Sequence, residues 1–137
     1  MIRLASALIL MSTAVAAHEM TPAYPKLHQS SVPEIMQADL SLFNARDDVE
    51  YFAVGVFDAE WQPIAFASAQ RVMHVRSGAR KAFEIYIRQT DVQRVVYVCT
   101  TSMLKAGQED NAIVSSRICS RLDGEGHEAA GCHLGIG

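Results

Sequence analysis

Gln93-Arg94-Val95-Val96-Tyr97-Val98-Cys99-Thr100-Thr101 and Ala112-Ile113-Val114-Ser115-Ser116-Arg117-Ile118-Cys119-Ser120-Arg121-Leu122 are two β-branched apolar runs, each holding one cysteine. Such residues favour a pleated, half-buried surface. In the second run Val114, Ser116, Ile118 and Ser120 alternate with Ser115, Arg117, Cys119 and Arg121, which is the period of a strand. The two runs are expected to form a hairpin, with the polar segment Thr100 to Asn111 supplying most of the connection. Cys99 and Cys119 then lie near its open end, either bridged or as two independent buried thiols.

The start of the chain bears on that choice. Arg3 gives a short positive region, Leu4 to Val15 an apolar run, and Ala16 and Ala17 the small residues of a signal-peptide junction. The run is shorter than the roughly 20 apolar residues that span a bilayer, so a cleaved leader over 1–17 is expected, with no stable membrane insertion after processing. Cleavage after Ala16 or after Ala17 fits, the second leaving His18 at the mature N-terminus. Export to a periplasmic or extracellular setting is where disulfides persist, and it favours the Cys99–Cys119 bridge.

Residues 18–137 suffice for one core and are too few for two. The formal charge of the whole chain is -3, so no basic stripe offers itself to nucleic acid. His18 to Pro33 holds three of the four prolines and reads as an extended arm, with at most one edge strand around Pro22 to Leu27. From Ile35 the period becomes two, with Met36, Ala38, Leu40 and Leu42 on one face. Asn44 to Asp48 reads as a polar turn and Val49 to Phe57 as a second strand. Asp58 to Pro63 is a turn carrying Trp61, and Ile64 to Ala67 a short strand. Arg71 to Val75 and Ala82 to Ile87 read as a further pair of strands around Gly78. About seven short strands without a long helical period predict an all-β sandwich over 34–122. Five glycines fall in 123–137, predicting a flexible tail there.

Residues with chemical potential are few. His18, as a mature N-terminus, could chelate copper through its amine and imidazole, with His28 or His74 as second imidazole and Met20 adding a thioether. Its ordinary reading is a residue that follows a leader junction. Cys132, near His127 and His133, is the odd cysteine; it could hold a soft metal, cross-link two chains or remain an unpaired thiol. His127-Glu128 lacks the second histidine of a zinc-protease helix, since position 131 is Gly. Asp47, Asp48 and Glu50 read as solvated surface carboxylates. No nucleophile elbow or phosphate loop is present, and a non-enzyme without a cofactor is expected, copper aside.

The strand with Tyr24-Pro25, the alternating strand ending at Phe43-Asn44, the Gly78 turn before Phe83-Glu84-Ile85-Tyr86-Ile87, and the closing cysteine-bearing pair resemble the N-terminal domain of periplasmic pilus-assembly (PapD-like) chaperones over about 20–122. That resemblance implies an immunoglobulin-like sandwich. In one subclass of the family a long loop joins the last two strands and a disulfide links them, matching Cys99 and Cys119 in position. It also implies that the last strand offers its edge to a client protein, here through Ala112, Val114, Ile118 and Leu122; Arg117 and Arg121 on that strand could supply charge but do not match the family's motif. Thr21 stands where the family carries a client-gripping arginine, and the family's second domain has no counterpart in this sequence. Three functions follow: a partner-binding module for a periplasmic or extracellular protein, a copper-handling protein using His18, and a structural accessory subunit.

Overall fold

The fold was analysed in a computed structural model, which describes residues 17–103, 115–122 and 134–136. Nine strands and one short 3-10 turn occur among them: β1 His18–Thr21, β2 His28–Gln29, β3 Ile35–Asn44, β4 Tyr51–Phe57, β5 Val72–His74, β6 Arg80–Arg88, the turn Gln89–Asp91, β7 Tyr97–Met103, β8 Ser116–Arg121 and β9 Leu134–Ile136. In one sheet β3 pairs with β6 along one side and with β1 and β2 along the other; the second sheet runs β5-β4-β7-β8-β9. Every pairing is antiparallel. The first, third and sixth strands share one layer and the fourth, seventh and eighth the other, which is the A-B-E and C-F-G division of an immunoglobulin-like sandwich.

Alternation builds the core. Ala38, Leu40 and Leu42 of β3 and Phe83, Ile85 and Ile87 of β6 face Phe52, Val54 and Val56 of β4 and Val98 of β7. Phe52 is fully enclosed. The expected strands at Ile35, Val49 and Ala82 therefore form, with ends shifted by a few residues.

Other expectations are corrected. The prolines of the arm do not form an edge strand at 22–27; strands flank that stretch as β1 and β2, because Pro22 and Pro25 have no N–H to donate to a ladder. The sandwich thus begins at His18 instead of 34. Ile64 to Ala67 forms no strand: its Ala67 makes an isolated bridge to Tyr86, and Pro63 just before it makes another to Phe57. The strands around Gly78 do not pair with each other: β5 joins β4 and β6 joins β3, so this turn carries the chain between layers. Gly78 has φ +76°, which glycine adopts without a Cβ penalty. Gln93 to Val96 precedes β7 in a turn anchored by the buried Asp91 carboxylate, which accepts from Arg88 at 2.9 Å and Arg94 at 3.4 Å. Within 123–137, Leu134–Ile136 is a strand on β8, not flexible tail.

The Asn44 to Asp48 turn contains two buried polar residues, Asn44 and Arg46. Asn44 Nδ2 donates to the carbonyls of Val49 at 2.7 Å and Val75 at 2.9 Å, while its Oδ1 accepts from the Arg46 N–H at 2.9 Å. One side chain thereby ties the end of β3 to the loop before β4 and the segment after β5. Asn44→Ala leaves those three backbone groups without this partner and is expected to lower the unfolding free energy by about 2 kcal/mol in urea titrations. A change below about 0.5 kcal/mol would mean that water replaces the side chain freely.

Candidate partner-binding edge

β8 lies between β7 and β9, and its backbone alternation decides which groups face outward. The Leu122 N–H donates to Val96 O at 2.9 Å, so even-numbered residues of β8 bond toward β7. Odd-numbered residues turn their backbone to the outer margin. Accordingly the Arg121 N–H donates to Ala23 O at 3.0 Å, outside the β7 ladder. By the same alternation Arg117, opposite Gly135 in the register, forms the hydrogen-bonded pair with β9.

Cys99 and Cys119 stand opposite each other with Cα atoms 4.0 Å apart and are joined by a disulfide. Theirs is a non-hydrogen-bonded pair, the closer of the two antiparallel types. Gly55 of β4 lies beside Cys99, and a Cβ there would come within 2.8 Å of the Phe57 ring, so that ring occupies space that only glycine leaves open. On the same outer face the Arg117 guanidinium lies 5.3 Å from the Phe57 ring centroid. Trp61, in the Asp58 turn, stacks on Tyr97 at 4.2 Å.

Side chains of the last strand divide unevenly. Ile118 and Leu122 point into the core and are buried, so they do not form an exposed apolar ladder for a client. Ala112 and Val114 lie outside the described residues, as does Cys132. Arg117 and Arg121 remain half-buried on the outer face.

His18 occupies a different role from the one expected of a metal ligand. Its ring is 1% exposed, packs 4.7 Å from the Phe52 ring, and uses both nitrogens: Nε2 lies 3.2 Å from Thr100 O and 3.0 Å from its Oγ1, and Nδ1 lies 3.1 Å from Ser116 Oγ. A carbonyl only accepts, so the fitting tautomer carries its proton on Nε2 and accepts at Nδ1 from the Ser116 hydroxyl. Arg46 completes the cluster. Its Nη1 donates to Ser102 and Ser116 at 3.3 Å each, and its Nε and Nη2 grip Asp48 at 2.8 and 2.6 Å. Burial, partly offset by the bond to Thr100 and reinforced by the Arg46 charge, depresses the His18 pKa to about 4.

Ser116 and His18 therefore have the spacing of a nucleophile and base without the basicity. Their geometry ties β1 to the opposite sheet. The proposed copper partners lie elsewhere: His28 pairs with Asp39 at 2.8 Å and His74 with Glu50 at 2.9 Å, while Met20 is in the core. Among the described residues no three His, Cys, Asp or Glu side chains converge as a metal site. The polar cluster and β9 both escaped sequence reading. For β9 the available signal was the apolar-Gly-apolar triplet Leu134-Gly135-Ile136; for His18 there was none.

No family model matches this chain, and no curated protein matches it. Among solved structures there is a resemblance. The crystal structure of the periplasmic chaperone SfaE is 17% identical with a TM-score of 0.45, covering 77% of this chain and 53% of that one. The chain thus spans about half the length of that protein.

Proposed function

We propose that this chain is an exported, non-catalytic binding module that takes an extended segment of another periplasmic protein onto the outer margin of β8, in the manner of a chaperone. The observation that carries this reading is the Arg117–Gly135 pairing: the margin accepts an added antiparallel strand through main-chain groups. Recognition through the backbone needs no exposed apolar ladder, which agrees with Ile118 and Leu122 facing inward. The leader-like segment 1–17 and the Cys99–Cys119 bridge support an oxidising destination.

Arg117→Pro tests the reading, because it deletes an N–H that faces the margin and leaves the β7 ladder intact. Full-length chain exported to a bacterial periplasm is expected to co-purify a client, with recovery reduced at least tenfold by the substitution. Equal recovery with both chains would reject strand addition.

A further inference from the structure

Resting on that reading, we infer that Leu134-Gly135-Ile136 is a built-in cap that competes with a partner strand for the margin of β8. The register places Leu134 opposite Ile118, Gly135 opposite Arg117 and Ile136 opposite Ser116. Apolar residue types thus fall opposite the two positions whose side chains turn inward, and the residue without a side chain falls opposite the one that turns outward. Arg117 needs that arrangement, since its guanidinium lies along the outer face over Phe57. The triplet therefore matches the margin position by position.

The cap also takes the one stretch that is left. At the other end of β8 the margin is held by the N-terminal run, through Arg121 N–H to Ala23 O at 3.0 Å and Ser120 Oγ to Pro22 O at 2.9 Å. An incoming strand must displace something to gain more than a residue or two of ladder. The three-residue cap is the weaker of the two covers: β1 is anchored by buried His18, whereas β9 enters through a single hydrogen-bonded residue pair. Residues 123–133 tether it to the strand it covers. A short tether supplies an effective concentration of roughly millimolar, which lets a weak cap compete with a dilute partner strand and still yield to a longer one.

Gly135→Pro in the full chain removes the N–H that faces Arg117. Hydrogen exchange at the Arg117 amide is expected to accelerate at least tenfold, with the melting temperature unchanged within about 3 °C; unchanged exchange overturns the cap. A fluorescent synthetic peptide of residues 131–137, with Cys132→Ser, serves as the competing strand. It is expected to bind the Gly135→Pro chain at least tenfold more tightly than the unaltered one. Equal affinities, or no binding to the opened chain, overturn the inference. Ile136→Asp, which keeps the backbone donor, is a second variant should proline disturb folding, and it is expected to accelerate exchange in the same direction; an unchanged rate there counts against the cap. If the peptide discriminates as expected but client recovery ignores Arg117→Pro, the cap stands and the chaperone-like function falls.

Discussion

Replacing both Cys99 and Cys119 with alanine is expected to lower the unfolding free energy by about 3 kcal/mol and the melting temperature by roughly 10–15 °C. The bridge spans a sequence separation of 20, and closing a loop of that length removes chain entropy of this order from the unfolded state. Both cysteines are buried, so the double alanine also loses some packing, but the larger part of the loss should come from the unfolded chain. Two readouts separate these causes. Thermal melting of the oxidised and double-alanine proteins gives the size of the effect. Kinetics gives its origin: a bridge acting through the unfolded chain slows refolding when removed more than it hastens unfolding, provided this hairpin forms early. A melting temperature that moves by less than about 3 °C would mean that the hairpin Tyr97–Met103 to Ser116–Arg121 is held by packing alone.

The second large effect is pH. His18 has a folded-state pKa of about 4 against 6.5 for a free imidazole, so the unfolded chain binds a proton more readily. For a depressed pKa, the associated stability is fully present above pH 6.5 and is lost progressively as the pH falls toward 4. Across that window the loss approaches about 3 kcal/mol. Three other groups frame it. His28, raised by its bond to Asp39, works in the opposite direction but from an exposed position where water screens it. Asp39 and Asp48 are both lowered by hydrogen bonds, from Gln37 and Arg46 respectively, and act only below the window, in the carboxylate range. Urea midpoints at pH 7.5, 5.5 and 4.5 measure the slope. In His18→Gln, whose amide can still donate to Thr100 but does not titrate, the slope should flatten; an identical slope in both proteins would assign the acid sensitivity elsewhere.

The limits of sequence reading follow from the same residues. β3, β4 and β6 were legible because each carries at least three inward positions at period two, and the Cys99–Cys119 pairing was legible because a leader-like opening and two strand-like runs agreed. β1 and β9 were not. They are four and three residues long, set beside prolines or glycines, and their pairing is decided by distant partners, β3 and β8. Polarity misled at Asn44, Arg46 and His18: each looks like a surface residue by type, yet each is buried because hydrogen bonds from elsewhere in the chain satisfy it. The allocation of β5 and β6 to separate sheets was likewise invisible, since a glycine turn reads the same whether it folds a hairpin or crosses between layers.

β1 and the proline that follows it meet β8 through contacts nearly a hundred positions apart, His18 with Ser116 and Pro22 with Ser120. A seam made from the beginning and the finish of the polypeptide cannot be sewn while the thread is still arriving. Assembly of such non-local pairings belongs to the slow, millisecond-to-second class. The newly made chain thus stays open along this seam until β8 has been synthesised.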